Sequence, residues 1–336
     1  MEITRAELKT LDGLLRATGR TMQKSAVILP PRERTVFSVA YLLCRAADTV
    51  VDTAVIAPER KIFRIEKFAG VIDKDGAEKI AAEVHEGRDL DEKLLLQNLP
   101  FCISIFDKFE PEDRQITRAV VGKVCGGMMV DLQTFKPGVM TALKTAEDLE
   151  NYCGMMGGAP GVFWSELILS SAKIEMPAEE FKKLGKNIGD ALQIVNVLRD
   201  IREDILNNRC YLPESDLKLF GVSVDDLKAS DYRAAIPAIT KWLLWGLDKI
   251  SAAPEYFNQI PKRAWRFRLS VLMPVIWALD TFELLAHTDI LANRVKINKK
   301  NIYGTILKSP LYLFSNKNFA SAVRQKTEAI KELLIK

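Results

Sequence analysis

Asn196-Val197-Leu198-Arg199-Asp200-Ile201-Arg202-Glu203-Asp204 says more about how this chain folds than any other segment. It lies inside a long helical pattern running from about Glu179 to Leu206. At about 100° per residue, Asn196, Asp200 and Asp204 fall within about 80° of one another. Gln193 and Glu203 share that side. Ile194, Leu198, Ile201 and Ile205 take the opposite side and read as the core face. One helix therefore offers oxygen ligands on one flank and apolar side chains on the other. Hard cations such as Mg²⁺ take carboxylate and amide oxygens, usually one or two carboxylates together with substrate phosphate. A solvated acidic face, salt-bridged at helical spacing to Arg199 and Arg202, fits the same residues.

A second stretch shifts the balance. Tyr41-Leu-Leu-Cys44-Arg45-Ala-Ala-Asp48-Thr-Val-Val-Asp52 lies in another helical run that starts after Pro30-Pro31. Tyr41, Arg45, Asp48 and Asp52 share one face, backed by Val39, Leu43, Ala46 and Val50. Two helices far apart in sequence thus each carry acids four apart on a polar seam. Partly buried acids need a partner. Facing each other across a cavity, they would repel unless cations sat between them. The pattern suits a diphosphate held by Mg²⁺, with Arg45 and Arg199 as further phosphate donors.

Composition narrows the alternatives. Of 336 residues, 48% are hydrophobic, enough for a sizeable core, and the net charge of +4 is too slight to imply nucleic acid. Cys44, Cys102, Cys125, Cys153 and Cys210 have neither metal nor disulfide spacing, which predicts a reducing, cytoplasmic setting. His85 and His287 are the only histidines, which disfavours zinc chemistry and histidine-based triads. Residues 1–10 are charged and lack the apolar core of a secretory signal. No run of about 20 uncharged apolar residues is found, so no spanning helix is expected.

Helical period continues along the chain, from Ile3–Arg20 through Glu59–Ile72, Ala77–Val84, Glu92–Phe109 and Glu112–Leu132. The last of these contains Gly122, Gly126 and Gly127, which suggests close helix packing or room for a ligand, since helical glycine costs about 1 kcal/mol against alanine. Tyr152-Cys-Gly-Met-Met-Gly-Gly-Ala-Pro-Gly161 is too glycine-rich for a plain helix and reads as a kink or break. Ser223-Val-Asp-Asp226 reads as a capped turn. Tyr232–Ala252, Lys262–His287, Asn301–Lys308 and Lys317–Leu334 complete the pattern. No period-2 strand, repeat or linker stands out. The expectation is one all-α domain over residues 1–336, with a basic amphipathic tail from about 308.

Asp48-x-x-x-Asp52 with Arg45, and Asn196-x-x-Arg199-Asp200-x-x-Glu203-Asp204 followed by Arg209-x-Tyr-Leu-Pro213, resemble the squalene/phytoene synthase family. Thr18-Gly19-Arg20-Thr21 sits where that family has its phosphate-binding segment. Phe267-Arg268-Leu269 to Leu279 and Val295-Lys296-Ile297 look more like the squalene synthase branch. The resemblance implies an isoprenoid-synthase helical bundle around a deep central cavity. It also implies head-to-head condensation of two farnesyl diphosphates, through presqualene diphosphate to squalene, with Mg²⁺ and NADPH. Sister activities that stop without reduction (dehydrosqualene, phytoene or presqualene diphosphate synthase) share the motifs, and a non-catalytic prenyl-binding homologue is the reading from another class.

The resemblance assigns Asp48, Asp52, Asn196, Asp200 and Asp204 to Mg²⁺. It gives Tyr152, Arg45 and Arg199 catalytic roles. Arg20, Thr21, Tyr41, Gln193 and Arg209 are assigned to the prenyl diphosphate, and Lys296 and Arg294 to the NADPH phosphates. Asn298 departs from the pattern, standing where squalene synthases tend to have arginine. A monomer is expected. Peripheral membrane association through the tail is a further expectation, with Phe319, Ile330 and Leu333 inserting and Lys317, Arg324, Lys326, Lys331 and Lys336 meeting anionic lipid. The competing expectation for the tail is a helix that docks its apolar stripe on the domain.

Overall fold

A computed structural model describes residues 2–18, 26–52, 58–70, 72–82, 90–228 and 232–335. The chain forms two compact units, Met1–Leu132 and Gln133–Lys336. Each is helical, and each is described by itself.

The first unit holds α1 (Arg5–Thr18), α2 (Pro31–Asp52), α3 (Pro58–Ala69), α4 (Lys74–Ala82), α5 (Leu90–Gln97), α6 (Leu99–Phe106) and most of α7 (Pro111–Thr134). Proline opens α2, α3 and α7, where its missing N–H costs nothing. The Glu92–Phe109 run divides at Asn98, because Pro100 in the first turn of α6 cannot donate to the preceding turn. Asp73 accepts a hydrogen bond from the Gly76 amide (2.8 Å), so the Asp73–Gly76 segment opens α4.

α2 packs against α1, α3, α5 and α6 and is buried over most of its circumference. Its hydroxyls do not disturb this. Thr35, Ser38 and Thr49 donate to the carbonyl four residues back. In α7, a Cβ on Gly122 would come within 3.0 Å of the Ala69 carbonyl oxygen, which is close helix packing as the glycine cluster predicts.

The second unit is built on α10 (Ala178–Leu206), a 29-residue helix. Around it lie α8 (Ala146–Cys153), a π turn (Gly154–Gly158), α9 (Ala159–Leu169), α13 (Tyr232–Ile250), α14 (Ala253–Gln259) and α15 (Trp265–His287). The short helices α11 (Glu214–Leu219) and α12 (Val224–Lys228) lead into α13, and Ser223 and Asp226 form the predicted cap. The chain does not break at Tyr152–Gly161: it stays helical throughout, and its departure from a plain helix is this π turn. Gly157 and Gly161 meet Gly189 and Gly185 of α10 backbone to backbone. A Cβ on Gly157 would sit 2.2 Å from the Gly189 oxygen, and one on Gly161 would sit 2.2 Å from the Gly185 oxygen. Pro160 follows in the first turn of α9.

Two two-residue strands, β1 (Thr141–Ala142) and β2 (Arg209–Cys210), pair in parallel, an element with no signal in the sequence pattern. Asn208 precedes β2 with φ of 60°, the left-handed end that asparagine tolerates after a helix.

α15, with the turn that leads into it, is the only helix among the described residues long and apolar enough to cross a membrane by length and composition, a feature that a search for uncharged runs passes over. Its apolar window is 67% buried in the second unit, as a core helix is. Arg268 holds its start in place. The buried guanidinium donates to the carbonyls of Phe257, Ile260 and Leu313 and stacks over the Phe257 ring at 3.9 Å. Burial lowers its pKa to about 10.

The chain closes with α16 (Lys299–Leu313) and α17 (Asn316–Ile335), both against α15. Insertion of the tail through Phe319 and Ile330 is not what the structure shows. Phe319 and Ile330 are buried in the unit and cannot insert elsewhere, and Lys326 is held by Asp280 at 2.6 Å. Leu333 is partly exposed, and Lys336 lies outside the described residues. α17 is the docked helix of the second expectation.

Candidate active site

In the first unit the seam of α2 is clear in the burial pattern. From Thr35 to Val51, the positions that reach partial exposure are Tyr41, Cys44, Arg45 and Asp48, while their neighbours are buried. The Arg45 guanidinium is paired with Asp48, one turn on, and reaches Glu92 of α5 at 3.5 Å. Glu92 is a partner that sequence reasoning does not find, since the two residues lie 47 positions apart. Tyr41 stacks on Phe37 with ring centres 6.0 Å apart. The backbone of Asp52 ends α2, but its side chain, like the whole of Arg20 and Thr21, lies outside the described residues.

In the second unit α10 divides as predicted. Ile194, Leu198, Ile201 and Ile205 are buried, and Gln193, Asn196, Asp200 and Asp204 are partly exposed. The Asn196 amide faces the Gln193 side-chain oxygen at 3.5 Å. Arg199 grips Asp200 through two hydrogen bonds, its Nε donating at 2.8 Å. Burial and the neighbouring Asp200 charge push the Asp204 carboxyl up to about 7, against the pull of Arg209. Asn196, Asp200 and Asp204 set amide and carboxylate oxygens along one partly exposed flank of α10, and such donors match a hard divalent cation. The residues therefore fit Mg²⁺. Among the described residues, no three Asp, Glu, His or Cys side chains close on one point.

The exit from α10 brings in Tyr211, a residue that the motif contains but to which the sequence assigns no role. Tyr211 follows β2, and its hydroxyl lies 3.4 Å from that of Tyr152, with ring centres 4.8 Å apart. Phe135 meets Tyr211 edge-on at 5.0 Å. Both phenols are buried, so Tyr152 belongs to an aromatic pair. The signal for Tyr211 is present in Arg209-x-Tyr-Leu-Pro213, but only the β1–β2 pairing turns that segment toward α8.

Both cofactor candidates are exposed. Arg294 meets Glu203 at 3.5 Å and, with Arg199, Arg202 and Leu206, lines a groove of about 240 Å³ at the end of α10. Lys296 is exposed beside the buried Val295. Asn298 caps α16, its side chain accepting from the Asn301 amide at 2.8 Å, which is a structural use for the residue that departs from the family pattern.

The squalene/phytoene synthase family profile matches residues 15–300. The chain belongs to the squalene/phytoene synthase family. It is a prenyltransferase, and its fold is the all-α isoprenoid (terpenoid) synthase fold. A squalene synthase of Eremothecium gossypii is 27% identical over 313 residues, covering 90% of this chain and 68% of that one. Phytoene synthase 1 of Solanum lycopersicum is 24% identical over 77% of this chain and 55% of its own length. Among solved structures, the TcSQS complex with the ligand BPH1237 superposes with a TM-score of 0.77 at 18% identity, covering 98% of this chain and 96% of the other.

Within a prenyltransferase the Asp204 pKa has a thermodynamic consequence. The folded-state value lies above the ordinary carboxylate value, so between about pH 4 and 7 the folded state holds a proton that the unfolded state has lost. Stability from this group is therefore present at low pH and falls as pH rises through that window. Asp204→Asn is expected to flatten the fall in a melting-temperature series from pH 4 to 8. An unchanged slope would show that Asp204 titrates normally.

Proposed function

We propose that this protein condenses two farnesyl diphosphates head to head, through presqualene diphosphate to squalene, with Mg²⁺ and NADPH. The observation that carries the reading is the row of oxygen donors Asn196, Asp200 and Asp204 along one partly exposed flank of α10, opposite its buried face. Squalene synthases among the relatives support the branch.

Asp48, Asp52, Asn196, Asp200 and Asp204 would hold Mg²⁺, which supplies charge neutralisation for the leaving diphosphate. Arg45, Arg199 and Arg209 donate hydrogen bonds to diphosphate oxygens. Arg20, Thr21, Tyr41 and Gln193 are assigned to the same substrate. As the C1–O bond of one farnesyl diphosphate breaks, the double bond of the second attacks C1, and loss of a proton closes the cyclopropane. Tyr152 acts in this step as base or as a cation-stabilising ring, with Tyr211 holding it. In the second half the remaining diphosphate leaves and the skeleton rearranges; NADPH, when bound, would supply the hydride that yields squalene. Arg294 and Lys296 are assigned to the NADPH phosphates.

A second reading, condensation without reduction, is favoured by Asn298 serving as a helix cap and by the phytoene synthase among the relatives. Lys296→Ala separates the two. On the proposed reading it raises the NADPH concentration needed for half-maximal squalene formation roughly tenfold. Diphosphate release in the first half-reaction is unchanged. A variant with wild-type NADPH dependence would remove Lys296 from the cofactor site.

A further inference from the structure

α16 is amphipathic the wrong way round for a surface helix. Its buried side carries Thr305 and Leu313, with Asn301 and Ser309 half-buried. Its outer side carries Tyr303, Ile306, Leu307, Pro310, Leu311 and Phe314. Leu307 is 82% exposed, Tyr303 65%, Leu311 62% and Phe314 53%. At 100° per residue these side chains fall on one stripe about 140° wide. Large apolar stripes left in water mark interaction surfaces.

The charge around the stripe identifies what covers it. From Ile290 to Thr327 the chain contains six lysines and two arginines and no aspartate or glutamate. Lys299 and Lys300 stand at the start of α16, Lys308 flanks the stripe and Lys317 lies just beyond it, all exposed. These four make no ion pair among the described residues. At 15 residues α16 is about 22 Å long, too short to cross a hydrocarbon core of about 30 Å. A second copy of the same stripe would bring these lysines against their own kind, which is repulsive. An anionic lipid surface both neutralises the lysines and takes up the apolar side chains.

We infer that α16 is an in-plane membrane-docking helix for anionic bilayers, with Leu307 and Leu311 inserted and the flanking lysines at the headgroups. The inference rests on α16 itself and holds whichever condensation product the enzyme makes. It moves the inserting side chains from Phe319, Ile330 and Leu333 of α17, where the sequence suggests them, to Leu307 and Leu311 of α16.

The test is co-sedimentation of the full chain with vesicles of phosphatidylcholine alone and of phosphatidylcholine mixed with phosphatidylglycerol. Wild type is expected to bind the mixed vesicles and to be released by salt. Leu307→Ser with Leu311→Ser should weaken partitioning at least about tenfold, and Lys308→Ala about fivefold, from near 1 kcal/mol per surface cation. Both variants should keep the wild-type melting temperature and detergent-solubilised activity, because the substituted side chains are exposed. Failure of wild type to bind the mixed vesicles overturns the inference, as does equal binding by the leucine variant. A wild-type dimer in light scattering that the leucine variant dissolves would also overturn it, assigning the stripe to a second copy.

Discussion

Asp200→Asn is expected to cut turnover by on the order of a thousandfold while leaving the protein folded. Asparagine keeps the shape of the side chain and the helix but removes one charge from the flank of α10. It also takes away the carboxylate that Arg199 grips through two hydrogen bonds. Both side chains of that pair are about a third exposed, so the pair contributes about 0–1 kcal/mol to stability and its loss is tolerable. The expected fingerprint is an unchanged far-ultraviolet spectrum, a melting temperature within a few degrees of wild type, and loss of metal-dependent diphosphate release. A folded variant with near-normal turnover would remove Asp200 from the reaction and reduce the α10 seam to a solvated face.

The second large effect is on stability. Gly189→Ala is expected to destabilise the second unit by about 3 kcal/mol. The new methyl would lie 2.1 Å from the Gly157 carbonyl oxygen and 2.7 Å from its carbon. Both atoms are backbone, inside the π turn, so no side chain can swing aside. At about 2–4 °C per kcal/mol for a unit of this size, the melting temperature should fall by roughly 6–12 °C. Gly13→Ala is the paired control. A Cβ there meets nothing within 4 Å, and alanine in the body of α1 should stabilise by about 0.5–1 kcal/mol. The contact also sets the register of α10 against the π turn, and with it the positions of Gln193 and Asn196. Activity should therefore fall with stability. A Gly189→Ala variant that melts with wild type would show that the two helices have slack between them.

The acid helices are legible because period and burial say the same thing. In α10, Ile194, Leu198, Ile201 and Ile205 repeat on one side and Asn196, Asp200 and Asp204 on the other, and the structure buries the first set and not the second. In α2 the seam rests on four residues, and the described ones, Tyr41, Arg45 and Asp48, are partly exposed among buried neighbours. The glycine-rich segment is legible as something other than a plain helix, but not as a π turn pressed onto Gly185 and Gly189, because a partner so far along the chain leaves no local trace. Tyr211 and Glu92 escape notice for the same reason. The tail misleads because a charged amphipathic pattern is the same whether the stripe meets lipid or protein. Only the burial of Phe319 and Ile330 separates α17, docked, from α16, whose apolar side faces out. Asn298 likewise looks like a gap in a cofactor motif and is a helix cap.

Product analysis by mass spectrometry decides whether this chain is a reductive head-to-head synthase. The purified protein is incubated with farnesyl diphosphate and Mg²⁺, with and without NADPH. Squalene is expected with NADPH, a cyclopropyl diphosphate product of two joined farnesyl chains without it, and neither when Mg²⁺ is chelated. Dehydrosqualene or persistent presqualene diphosphate at saturating NADPH would contradict the reductive step. Farnesol alone, with no thirty-carbon product under any condition, would contradict the condensation itself.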